Sequence, residues 1–119
     1  MALLFVYGTL RAGGCNAHLL DAWGAKRLIG GFRTVLPYPM IVLHGRLRCL
    51  VDQPGQGYVV QGELVEVPAS ALPRLDAFEG TGDEDGYQRL FVDVQGDLAL
   101  GHAHVLQAMT YGRTRTAMW

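Results

Sequence analysis

Serine is nearly missing from this 119-residue chain; Ser70 is the only one. A serine nucleophile served by histidine and an acid would have to be built on it. Its place ahead of an apolar, helix-forming stretch makes it a helix cap instead. Cysteine is scarce as well. Cys15 and Cys49 lie far apart without CxxC spacing, so they read as two free thiols of a reducing compartment. Charge of one sign is not in excess: ten basic and eleven acidic residues give a formal net charge of -1. That leaves no electrostatic footprint for nucleic acid or an anionic membrane. Long apolar runs are absent too, and the opening "MALLFVYGTLR" is too short to span a bilayer and carries no basic leader. The expectation is a cytoplasmic protein with a small-molecule partner; nothing in the pattern sets an oligomeric state.

What is present is a globular composition, with half of the residues hydrophobic. The length suits a single core. With no internal repeat, low-complexity tract or linker, one domain over residues 1–111 is expected, followed by a short tail at 112–119. Strand-like runs occur at 3–7, 28–35, 40–43, 47–51, 58–67, 87–94 and 99–107. "PYP" at 37–39 and "DQPGQG" at 52–57 are turns. A first short helix is predicted over 18–23, capped by Asn16 and stopped by Gly24; a second over 69–78, capped by Ser70 and stopped by Gly80. Many short strands and two short helices make a strand-dominated α+β domain. A closed or nearly closed barrel would hide the strand edges.

The loop "GTLRAGGC" has the GxxxxG spacing of a phosphate loop. Gly14 and Cys15 stand where the lysine and the Ser/Thr should follow, and Arg11 is the only adjacent cation. Two readings remain. One is a strand-ending turn, with Gly8 in an unusual backbone conformation and Thr9 making a local hydrogen bond. The other aims the N–H groups of Gly8, Thr9 and Leu10 at a substrate oxygen.

In "SALPRLDAFEG", Leu72, Leu75, Asp76 and Glu79 fall on one helix face. The two leucines make that face the buried one, so Glu79 ends an apolar stripe with a carboxylate. Burial, the negative end of the helix and the neighbouring Asp76 would all raise its pKa, as suits a general base or acid. The bland alternative is a solvated Glu79, or one paired with Arg89. In "YQRLFVDV", Tyr87, Arg89 and Phe91 share a strand face, and Arg89 can hold Asp76, Glu79 or a ligand carboxylate. Asp83, Glu84 and Asp85 are consecutive, without ligand spacing, and read as a solvated loop. His102 and His104 could begin a zinc site, but no third ligand is identifiable beyond His44 as a candidate by type, and no metal is expected. Cys15 with His18 is a thiol–imidazole alternative.

Taken in order, "FVYGTLRAGGCN", "PYPMIV", "VVQGELVEV" and "LDAFEGTGDEDGYQR" resemble the gamma-glutamylcyclotransferase superfamily, most closely its gamma-glutamylamine cyclotransferases. The likeness covers most of residues 2–94. It implies a compact mixed-sheet barrel with a ligand cavity at its mouth. It further implies that Tyr7, Gly8, Thr9 and Leu10 hold substrate and that Glu79 is the base, with Tyr38, Tyr87 and Arg89 as secondary site candidates. The implied reaction is attack of a γ-glutamyl α-amine on its own γ-carbonyl, releasing 5-oxoproline and an amine or amino acid without cofactor or metal. A catalytically silent binding module on the same fold is the alternative. The end of the chain, "HAHVLQAMTYGRTRTAMW", departs from the family pattern: Tyr111, out of register, or Leu106 stands in for an aromatic pair that closes the last barrel strand.

Overall fold

A computed structural model describes residues 2–28, 31–43, 47–80, 86–96 and 105–114. The first strand, β1 (Ala2–Val6), buries Leu4, Phe5 and Val6 in succession. Both its faces are covered, as expected of a strand without alternation. Phe5, with Tyr7 just beyond the strand, joins one core with Leu64, Val92 and Val94. Leu4 and Val6 join a second with Leu20, Val65 and Leu75. The period-2 pleat of one strand thus feeds two cores.

The remaining elements are α1 (Ala17–Ala22), β2 (Lys26–Arg27), β3 (Phe32–Thr34), β4 (Met40–Leu43), β5 (Leu47–Asp52) and β6 (Gln61–Val67). A 3-10 turn (Ala69–Ala71), α2 (Leu72–Glu79), β7 (Gln88–Gly96) and β8 (Val105–Thr114) follow. β1, β6, β3, β7 and β8 pair in that order, and β8 returns to β1 in parallel at Leu4↔Met109, which closes a five-stranded barrel. Closure removes the edges of these five strands. The β4–β5 hairpin extends the sheet from β8, with β5 parallel to it from Leu50↔Gly112 to Asp52↔Thr114. β8 therefore changes partner along its length, from β1 to β5.

Tyr7 sits at that changeover. Its hydroxyl accepts from the Leu50 N–H at 2.9 Å and donates to the Tyr111 carbonyl at 2.5 Å. The phenol thus bridges β5 and β8 where the Leu50↔Gly112 pairing begins.

The expected α+β barrel with two short helices is present, with local differences. Asn16 precedes α1 but makes no cap bond; its Nδ2 donates to Thr9 Oγ1 at 3.0 Å. Ser70 lies in the 3-10 turn and does not cap α2. Gly24 and Gly80 do stop their helices, at φ +83° and +72°. Among the described residues the last strand runs past the end of the 99–107 stretch, and residues 112–114 extend it into the stretch read as tail; residues 99–104 lie outside the described residues. Asp83 to Asp85, His44, His102 and His104 lie outside the described residues. Among the described residues no helix is long and apolar enough to cross a membrane.

Candidate active site

The loop after β1 is held from outside by its carbonyls. Gly8 O accepts from Arg11 N at 3.2 Å, Thr9 O from Asn16 N at 3.0 Å, and Leu10 O from Arg27 Nη2 at 2.9 Å. Glu63 Oε1 accepts from Ala12 N at 2.6 Å and from Arg27 Nη1 at 3.2 Å. The N–H groups of Gly8, Thr9 and Leu10 engage no acceptor among the described residues. Gly8 does not have the left-handed backbone expected of it, and a Cβ there would meet nothing within 4 Å. The demanding glycines are further on. Gly13 has φ +80°, and a Cβ on Gly14 would fall 2.2 Å from Thr9 O.

Glu79 ends α2, whose Leu75 is fully buried, and the Gly80 left-handed cap turns the chain away beneath it. The following loop is pinched at its base: a Cβ on Gly86 would lie 1.8 Å from Gly80 O, and Tyr87 N donates to Glu79 O at 2.8 Å. Phe78 meets Trp23 edge-on at 6.3 Å between ring centroids. Burial raises the Glu79 carboxyl from 4.5 to about 7. The like-charge push expected from Asp76 is not among the causes, because Asp76 is occupied elsewhere. It accepts from Arg89 Nε at 2.7 Å, from Arg89 Nη2, and from Tyr111 OH at 2.7 Å. The Arg89 bonds hold its carboxyl below the ordinary value.

Glu79 and the loop share one cavity of about 490 Å³. Residues 7–11 and 14–16 line it, with Phe78, Glu79, Tyr87, Thr110, Tyr111 and Arg48 completing the wall. The Glu79 charge also acts on Tyr7, Cys49 and Tyr87. Burial is the main reason that the Cys49 thiol is pushed up to about 11 and Tyr87 to about 12. A carboxyl that titrates near neutrality, in a partly dry cavity with free backbone donors, can accept and return a proton while oxygen charge is stabilised nearby.

Of the residues singled out in the sequence, Tyr7, Gly8, Thr9, Leu10, Glu79 and Tyr87 line this cavity. The Tyr7 side chain is committed to the ladder, so only its backbone is free to face a ligand. Tyr38 is buried in the Phe5 core, outside the cavity wall. Arg89 is paired with Asp76 and is not in the wall either. Cys15 lines the cavity, whereas His18 is exposed on α1 and makes no hydrogen bond to it. Tyr111 is buried against the cavity, while Leu106 is 37% exposed, so Tyr111 is the aromatic of the last strand that reaches the wall. Arg48 and Thr110 were not legible: neither has a local signal, and only the β5–β8 and β1–β8 pairings bring them in. Among the described residues no group of three His, Cys, Asp or Glu side chains gathers to hold a metal ion.

Comparison with known proteins gives one consistent result. The family model "Gamma-glutamyl cyclotransferase, AIG2-like" matches residues 4–117. The chain is 36% identical to gamma-glutamylaminecyclotransferase B of Danio rerio over 118 residues, covering 97% of this chain and 61% of that one. It is 38% identical to the gamma-glutamylaminecyclotransferase of Homo sapiens over 98 residues, covering 80% of this chain and 63% of that one. It thus spans about three fifths of the length of these relatives. The crystal structure of an AIG2-like protein from Mus musculus superposes with a TM-score of 0.80 at 32% identity, covering 94% of this chain and 76% of that one.

Proposed function

From the premise that this chain belongs to the gamma-glutamyl cyclotransferase, AIG2-like family, we propose that it cyclises the γ-glutamyl group of a small molecule. The products are 5-oxoproline and a free amine or amino acid. The observation that supports this reading best is the single cavity shared by Glu79 and the unengaged N–H groups of the first loop.

The substrate carries its own nucleophile and electrophile, so the protein need only fold it, move one proton and stabilise one oxyanion. Holding reacting groups in near-attack geometry lowers a barrier by about 7–11 kcal/mol, part of which the tether already supplies. In the proposed cycle the α-ammonium first sheds its extra proton through Glu79 to solvent, and Glu79 then takes a second proton from the nitrogen as it closes on the γ-carbonyl carbon. The carbonyl oxygen, now negative, lies against the N–H groups of Gly8, Thr9 and Leu10. Collapse breaks the bond to the leaving nitrogen, which receives the proton from Glu79. The carboxylate is regenerated and no water is consumed.

The raised pKa suits that step. An α-amine titrates at about 8, so an ordinary glutamate accepts its proton roughly 5 kcal/mol uphill. With Glu79 raised to about 7 the gap shrinks to about 1–2 kcal/mol. Each well-placed oxyanion donor adds about 3–4 kcal/mol of transition-state stabilisation. A reducing cytoplasm fits the two free thiols, Cys15 and Cys49.

The test is direct. Purified protein is incubated with ε-(γ-glutamyl)lysine, γ-glutamyl-alanine and glutathione, and 5-oxoproline is measured. Release from at least one is expected, with a loss of roughly 10²- to 10⁴-fold in Glu79→Gln. Turnover that survives Glu79→Gln removes the base; turnover lost in Cys15→Ala but kept in Glu79→Gln replaces it with a thiol route. Absence of 5-oxoproline from all three overturns the reading in favour of a silent binding module.

A further inference from the structure

The loop after β1 and the end of α2 both line the cavity, and one residue of a third element is bonded toward each of them. Tyr111 of β8 is 4% exposed and stands in the same wall. Its backbone carbonyl accepts from Tyr7 OH at 2.5 Å, and its own hydroxyl donates to Asp76 Oδ1 at 2.7 Å. Tyr7 is the residue directly before Gly8. Asp76 lies three residues before Glu79, on the same face of α2.

Both ends of this connection are held firmly. The Arg89↔Tyr111 register sets a guanidinium beside the phenol, and the two meet on one carboxylate. Asp76 Oδ1 accepts from Arg89 Nε at 2.7 Å as well as from the phenol, and Oδ2 accepts from Arg89 Nη2. Leu75 and Tyr111 belong to one buried cluster, so apolar packing backs the same junction. At the other end, Tyr7 OH also accepts from the Leu50 N–H at 2.9 Å, which ties β5 to it. A helix of eight residues is placed by tertiary contacts rather than by its own propensity, and the Asp76 bonds are contacts of that kind.

Resting on the cyclotransferase reading, we propose that Tyr111 is a positioning residue, the strut that spaces Glu79 from the donors of the first loop. Its hydroxyl acts through Asp76 on Glu79. Its carbonyl acts through Tyr7 on Gly8, Thr9 and Leu10. Base and oxyanion donors must be held in near-attack geometry, where a misplacement of about 1 Å costs roughly 100-fold in rate. Burial is what raises the Glu79 carboxyl to about 7. Movement of the α2 end that admits water therefore returns it toward 4.5.

Two measurements test the strut. One is the titration of the Glu79 carboxyl by carbon-13 NMR, its resonance assigned by its loss in Glu79→Gln. The other is kcat and KM for 5-oxoproline release from ε-(γ-glutamyl)lysine, γ-glutamyl-alanine or glutathione, whichever turns over. KM and the NMR titration do not depend on the folded fraction. Tyr111→Phe keeps the ring and removes the bond to Asp76. It is expected to lower the Glu79 pKa by about one unit or more and kcat by roughly 10- to 100-fold, with KM little changed. Asp76→Ala does the same, and the double variant is no worse than Asp76→Ala alone. Asp76→Asn, which still offers the phenol an acceptor, is milder. Tyr7→Phe lowers kcat and leaves the Glu79 pKa in place, because it releases the other end. Tyr7, Cys49 and Tyr87, whose titration the Glu79 charge touches, are all pushed upward and remain protonated while the carboxyl titrates. Arg11, Arg48 and Cys15 of the wall are common to every variant. A Glu79 pKa unmoved in Tyr111→Phe, a loss confined to KM, or additive losses in the double variant overturns the proposal. Release of 5-oxoproline by the wild type keeps the cyclotransferase reading in each of those cases. A Glu79 pKa lowered in both Tyr111→Phe and Asp76→Ala, with no substrate turned over by the wild type, supports the strut and sinks the cyclotransferase reading instead.

Discussion

Replacing Glu79 by glutamine should stabilise the protein at high pH while abolishing most of the cyclotransferase activity proposed for it. Burial raises this carboxyl from 4.5 to about 7. Between those values the unfolded chain has released its proton and the folded chain has kept it. Folding therefore weakens as pH rises, by about 1.4 kcal/mol per pH unit. Over the whole interval the loss is about 3 kcal/mol, fully developed once pH passes the folded pKa. Glutamine does not titrate, so the difference in unfolding free energy between variant and wild type should grow by about 3 kcal/mol from pH 4 to pH 8.5. Taking that difference removes groups common to both proteins, including Asp76, whose lowered pKa acts in the opposite direction. Urea denaturation of both proteins at half-unit pH intervals measures it. The same titration in activity should show kcat/KM of the wild type rising with an apparent pKa near 7, as the carboxylate form becomes available. A stability difference that stays flat across this range would mean that Glu79 meets water, and the physical basis for its role would be gone.

Three further expectations concern the frame around the site. Tyr7→Phe leaves the Leu50 N–H and the Tyr111 carbonyl without the hydroxyl that joins them, for a loss of roughly 1–3 kcal/mol in denaturant unfolding; a loss below about 0.5 kcal/mol would show that the strands simply close on each other. Gly14→Ala puts a methyl 2.2 Å from Thr9 O and should cost roughly 1–3 kcal/mol, whereas Gly8→Ala, with open space around it, should stay within about 0.5 kcal/mol; equal melting temperatures for the two variants would contradict the loop packing. Asp76→Asn breaks the pair with Arg89, which is 36% exposed, so about 1 kcal/mol is expected at pH 7. That difference should shrink as pH falls through the lowered Asp76 pKa and the wild-type carboxyl is protonated; a difference that does not shrink with falling pH would point to packing instead.

Features written in short-range pattern were legible before any coordinates. The stop glycines at 24 and 80, the strands over β1, β4 and β5, and the placing of Glu79 on the apolar face of α2 all follow from periodicity within one element. Capping was misread because Asn16 and Ser70 have the right type and position, but Asn16 is engaged by Thr9 across the loop and Ser70 falls in a 3-10 turn. A capping side chain goes to the better partner, and that partner is settled by packing.

What the amino-acid order determined alone is therefore local: a carboxylate at the end of an apolar helix face, and a glycine-punctuated loop directly after the first strand. Tertiary structure decided the rest, because each remaining fact depends on register between distant strands. The Leu4↔Met109 pairing closes the barrel. The change of β8 from β1 to β5 sets the Tyr7 hydroxyl between Leu50 and Tyr111 and brings Arg48 to the wall. The meeting of β7 with α2 gives Arg89 to Asp76, whose charge the guanidinium offsets, and burial is the force that raises the Glu79 pKa.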